Sequence, residues 1–174
     1  MGVAVTDALG AAEVVELLDE SARLGLRGMR LLDALPFDDV VSAYNGIGPD
    51  WFPVCIRRTL DYLFPEHRPA AMVHDVMLSC FPQRRADEEC LRTWFAFAND
   101  ALADNMRKCA DDRYPCWYAP RRWASRFAAW AFPLLCRMFG WTSFAKSSID
   151  SSAIGEEGCV RQPEIQTRQQ GGYL

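Results

Sequence analysis

The chain has 174 residues, half of them hydrophobic and 12% aromatic, which excludes a wholly disordered protein and is enough for one domain with a core. The formal net charge of −4 leaves no excess of Lys and Arg to neutralise phosphates, so no nucleic-acid specificity is expected. Seven cysteines without a C-x-x-C, and only two histidines (His67 and His74), argue against a structural zinc site. The odd cysteine number and an N-terminus that reads as lacking an export signal fit reduced thiols in a cytosolic protein.

Helical spacing dominates, and runs of alternating β-branched residues are missing, so the expected fold class is all-α. Thr6 or Asp7 is placed to cap a first helix, with Val14, Leu17, Leu18 and Leu24 on its apolar face. Gly25 and Gly28 each cost about 1 kcal/mol in a helix interior, so the stretch is expected to break there. A second helix then carries Met29, Leu31, Leu32 and Leu35 and ends at Pro36. Asp38 or Asp39 starts a short helix reaching Tyr44. The next segment, Tyr44-Asn-Gly-Ile-Gly-Pro-Asp50, is a glycine-rich loop whose backbone can curl with its carbonyls to one side.

Pro53 opens a helix over 53–64, with Val54, Ile56, Leu60 and Leu63 available for the core. Pro69 opens a helix that Pro82 ends. A long helix is predicted over 84–108 with Leu91, Trp94, Phe95, Ala98 and Leu102 inward, and a last one over 120–139. In that last helix Trp123, Phe127, Trp130, Ala131, Leu134 and Leu135 form the apolar face, and Pro133 should kink it. Residues 121–137 hold four arginines and no acid, which argues against a membrane span. The face reads as core, or, more sharply, as a lipid-interface helix or a protein-docking surface. The expected organisation is a helical domain over 1–145: N-terminal helices (1–43), loop and helical hairpin (44–108) and basic-aromatic helix (109–145). A polar, extended or disordered tail over 146–174 follows.

The most informative pair is His74-Asp75. Ala70, His74, Met77, Leu78 and Phe81 share one helical face, so an imidazole stands where Leu is expected. Burying it without a hydrogen-bond partner costs about 1–3 kcal/mol. In an antiparallel hairpin centred near Pro82 and Gln83, Asp87 is the first choice to hold the ring and Glu88 the second. Asp75 points about 100° away, toward the carbonyls of the glycine loop, a hard-oxygen set that suits calcium. Two readings stand for His74: a core histidine keeping two helices in register, or a catalytic base.

The Tyr-x-Gly-x-Gly loop followed by Ala70-Ala-Met-Val-His-Asp75 resembles the calcium loop and catalytic helix of phospholipases A2, particularly the short viral-capsid type. The resemblance implies Tyr44, Gly46, Gly48 and Asp75 for the ion, His74 for the base and Asp87 for its support. It implies a compact bundle of five to six helices around such a hairpin, and hydrolysis of a lipid ester. A wider resemblance is to a family of small phage and prophage proteins of unassigned function. It rests on Asp50-Trp-Phe-Pro53, the His-Asp helix, Arg85-Ala-Asp87 and Arg137-Met-Phe-Gly-Trp141, in that order over about 100 residues. It implies phage origin, other phage structural proteins as partners, and a place first in the host cytoplasm and then in the virion. The functional expectation is a non-enzymatic assembly or virion component; the alternative is a calcium-dependent hydrolase acting on membrane lipid.

Overall fold

The computed structural model describes residues 11–44, 46–48, 52–79 and 87–151, with side chains from 12 to 145 within those spans. Seven α-helices pack together and no strand occurs among the described residues, so the fold is all-α. The helices are α1 (Ala11–Leu24), α2 (Met29–Leu32), α3 (Phe37–Ala43), α4 (Val54–Leu63), α5 (Arg68–Ser79), α6 (Glu88–Arg113) and α7 (Pro120–Ser151), with a 3-10 turn at Pro65–His67 before α5.

The break between α1 and α2 falls where the glycines stand. Gly25 and Gly28 have φ of 58° and 106°, left-handed values that end one helix and re-aim the chain. Gly28 has a second role: a Cβ there would lie 2.7 Å from Met77 Sδ and 2.9 Å from Val73 Cγ1, so only glycine lets this turn lie on α5. Asn105 of α6 fastens the same turn. It accepts from the Arg27 N–H at 2.7 Å and donates to the Arg27 carbonyl at 2.9 Å, closing two main-chain groups that no helix satisfies.

The bundle is layered around α5. Pro69, Ala70, Ala71, Met72, Val73, His74, Val76 and Met77 are all buried, and a helix apolar on every side must lie in the middle. α1, α2 and α3 pack against it, as does α6, and α7 packs against α6. Most inward residues foreseen for α1 and α6 take their places, with Val14, Leu17, Leu24, Phe95, Ala98 and Leu102 buried and Leu18 and Trp94 against the core; Leu91 is only half-buried. α4 departs from the expectation: Val54, Ile56 and Leu63 are exposed and only Leu60 packs against the core.

α7 departs further. The face expected to be core points outward, with Trp123, Phe127, Trp130 and Leu134 exposed. The face that packs sets small groups, Ser125, Ala128 and Ala129, beside larger ones: Phe132 and Cys136 lie against the core and Phe144 is buried on Phe95. Small side chains let two helix backbones approach closely, and bulky ones at those positions would hold them apart. The helix also runs further than expected, through Ser151, with Pro133 inside it. Residues 152–174 of the predicted tail lie outside the described residues. No described helix is long and apolar enough to cross a membrane.

Candidate functional site

His74 is buried, as its position on the apolar face implies, but its partner is not the one foreseen. Its Nδ1 lies 3.4 Å from Oδ1 of Asp75, the next residue, a long contact for a hydrogen bond. Nε2 is buried and has no hydrogen-bond partner among the described residues. The proposed supports lie elsewhere. Asp87 is the N-cap of α6, and its Oδ1 accepts the Cys90 N–H at 2.7 Å. Glu88 is exposed and pairs with Arg92 one turn along at 2.7 Å. The reason is local. A helix begun at 84 would have set both acids on its flanks, whereas one begun at Glu88 leaves its first amides open and turns Asp87 back onto them. Neither acid bonds the imidazole. The turn through Pro82 and Gln83 lies outside the described residues, as do Phe81, Arg84 and Arg85.

The glycine loop has a carboxylate partner, and that partner is Asp61 of α4. Gly46 and Gly48 have φ of 100° and 118°, the left-handed values the sequence implied. The Ile47 N–H donates to Asp61 Oδ1 at 2.8 Å, and a Cβ at Gly46 would lie 2.8 Å from Asp61 Oδ2. The loop therefore offers an amide to an acid, and Gly46 is required because any side chain would strike that acid. Burial raises the Asp61 pKa, partly offset by the Ile47 amide. Tyr44 is buried beneath the loop, its phenol pushed well above its usual range by burial and then by Asp61 nearby. Arg68, at the start of α5, pairs with Glu13 of α1 and lies beside the Tyr44 hydroxyl. Asn45, Pro49, Asp50 and Trp51 lie outside the described residues.

These contacts change what the neighbourhood can do. Asp75 acts on Tyr44 through charge, but the glycine loop's described backbone bond is to Asp61, not Asp75. Among the described residues no group of three His, Cys, Asp or Glu side chains is gathered as a metal site. The assembly of Glu13, Arg68, Tyr44 and Asp61 ties α1, α4 and α5 together.

The other histidine makes the firmer contact. His67 is fully buried, its ring stacked on Phe64, and its Nε2 lies 3.0 Å from both the carbonyl and the hydroxyl oxygen of Ser125. A carbonyl only accepts, so Nε2 carries the proton. A nitrogen in that state cannot take the proton of Ser125, and both side chains are closed to solvent, so this is a structural link and not a nucleophile-base pair. Burial lowers the His67 pKa and keeps the ring neutral. Nothing in the sequence announces this link, because its halves are 58 residues apart.

What most marks the surface is the outward face of α7. Trp123, Phe127 and Trp130 are 60%, 65% and 59% exposed, and Met138 is 63%. At 100° per residue, positions 123, 127, 130, 134 and 138 fall within roughly 80° of arc and extend about 22 Å. The arginines beside this stripe are largely held by α6. Arg122 and Arg126 both bind Asp111, at 2.8 Å and 2.9 Å, and Arg137 pairs with Asp100. The basic segment is thus a clamp between two helices, with the aromatic rings left uncovered.

No protein family, curated protein or solved structure matches this chain.

Proposed function

We propose that this chain is a non-enzymatic assembly protein of the phage or prophage type its sequence resembles, acting as a virion or genome-delivery accessory. It docks on other phage structural proteins through the basic-aromatic helix and the C-terminal tail, first in the host cytoplasm and then in the particle. The observation that carries this reading is the open aromatic face of α7. Apolar patches of this kind, rich in Trp, Phe and Met and edged by Arg, have the composition of interface cores. A triple variant, Trp123→Ser with Phe127→Ser and Trp130→Ser, should fold normally by circular dichroism. Its incorporation into purified particles should fall roughly thirtyfold, the effect of losing about 2 kcal/mol of hot-spot contact. Incorporation equal to the unaltered chain defeats the proposal.

A second reading is a calcium-dependent lipid-ester hydrolase built on His74 and Asp75. The Nε2 of His74, buried and without a hydrogen-bond partner among the described residues, favours it, since such a nitrogen is open to another group. This reading expects calcium-stimulated release of fatty acid from vesicles and a calcium-dependent rise in melting temperature that Asp75→Asn removes. The two are separable, because the α7 variant leaves His74 untouched.

A further inference from the structure

We infer that the first half of α7, residues 120–132, is an acid-released flap that swings off the bundle about Pro133 when His67 takes up a second ring proton. Nothing in this depends on which partner α7 docks against.

The two halves of α7 are fastened by different means. Between positions 120 and 131 the side chains that α7 buries are Ser125, Ala128 and Ala129, all small. What holds this half is polar: the Ser125 link to His67, and Asp111, which binds Arg122 and Arg126. Beyond Pro133 the hold is aromatic, with the exposed Arg137–Asp100 pair beside it. Phe144 is buried with its ring 5.4 Å from that of Phe95, and Trp141 meets the same ring edge-on at 5.6 Å. Apolar contacts of that kind do not respond to mild acid, whereas a buried histidine does.

The joint between the halves is suited to bending. Pro133 has no N–H to give to the carbonyl one turn back, so the helix lacks a bond there. A groove of about 470 Å³ lies at the same point, lined by Ala129, Trp130, Pro133 and Leu134 on the α7 side, so α7 is loosely packed on α6 at the joint. At the other end, residues 114–119 lie outside any helix and give the flap slack.

His67 is the trigger because its closed site has no place for a second proton. The ring is fully buried, and its Nε2 already carries the proton directed at the Ser125 carbonyl, 3.0 Å away. Nδ1 is buried and has no hydrogen-bond partner among the described residues. A proton there sets a charge and an unpaired donor in the interior, which is costly. With the flap away, the Nε2 edge meets water and the ring titrates near its ordinary value of about 6.5. Glu66 beside it favours the charged ring, but burial outweighs that pull. The other charged groups on the surrounding elements are already committed. Asp111 of α6 is bound to Arg122 and Arg126, Arg68 of α5 to Glu13, and Asp61 of α4 to the Ile47 amide. Cys109 of α6 is pushed up to about 12 by burial and stays a thiol. Mild acid therefore acts on His67 and favours the open flap.

Hydrogen exchange of the full chain, read by mass spectrometry and corrected at each pH against an unstructured peptide, tests this. Between about pH 7 and pH 5.5 the opening of residues 121–132 should rise by up to about eightfold, the ratio set by a ring free to take its proton near pH 6.5. Residues 134–145 and α5 should keep their protection. His67→Gln stays neutral and can still donate to the Ser125 carbonyl, so it should abolish the rise. Asp111→Asn keeps the histidine and should show the same rise from a more open start. No rise over 121–132 overturns the inference, as does a rise that persists in His67→Gln or vanishes in Asp111→Asn. An equal rise in 134–145 and α5 is unfolding of the whole molecule and overturns the hinge.

Discussion

α5 and α7 are both apolar helices with polar insertions, yet one is closed on every side and the other shows its largest side chains to solvent. In α5 the buried positions run almost without interruption from Pro69 to Met77, and α1, α2, α3 and α6 account for its surroundings. In α7 the helix is held by Ser125, Ala128 and Ala129, while Trp123, Phe127 and Trp130 face away. Hydrophobicity alone thus did not decide which face of α7 packs. The ion pairs to Asp111 and Asp100 hold α7 on α6 with Ser125, Ala128 and Ala129 inward and Phe132 and Phe144 packed beside them. The outward face of α7 leaves large aromatic side chains open to solvent, whereas α5 is enclosed by its neighbours.

Substitutions can sharpen that contrast. Met72→Ala in α5 should lower stability by about 2–5 kcal/mol, because Met72 is wholly enclosed and its loss leaves a cavity. Trp130→Ala in α7 should change the monomer's stability by no more than about 0.5 kcal/mol. Denaturant melts of the two variants check this, and equal losses would erase the distinction. The next effect concerns pH. Burial lowers the folded-state pKa of His67, so the folded protein resists a proton that the unfolded chain accepts near pH 6.5. Stability should therefore be full above about pH 6.5 and fall as acid takes the pH down toward the lowered folded value. The slope of melting temperature against pH between about 7 and 5.5 should flatten in His67→Gln. The smallest effect is expected at the α6–α7 clamp. Arg126, by hydrogen bond and then charge, holds Asp111 below its usual range, so this contribution is present above about pH 4 and is lost as pH falls through the depressed value. Asp111→Asn should remove under about 1 kcal/mol, as for other exposed ion pairs, and flatten the acid limb of the stability curve.

The candidate site was legible only in part. His74 was expected inside from its helical face, and it is there. The two glycines after Tyr44 were expected at positive φ, and both are. The acids that complete these features were not legible, because each depends on where a helix begins or which helix crosses the loop. Asp87 became a cap once α6 started at Glu88, and Asp61 met the loop because α4 folds back across it. The small-residue face of α7 was present in the sequence as Ser125, Ala128, Ala129, Cys136 and Gly140, but the aromatic face outweighed it when apolar character was taken as the guide.

What the sequence determined by itself was helical content, the break at Gly25 and Gly28, the inward faces of α1 and α6 and the burial of α5. These follow from backbone freedom and local spacing, which act over a turn or two of chain. Tertiary structure alone decided the link from His67 to Ser125, the pairing of Asp61 with the glycine loop and the outward turn of the α7 aromatics. Each is set beyond the reach of a helical turn or two, with partners 14 and 58 residues apart in the pairing of Asp61 and the link of His67, and such choices are made by how closely whole helices can pack.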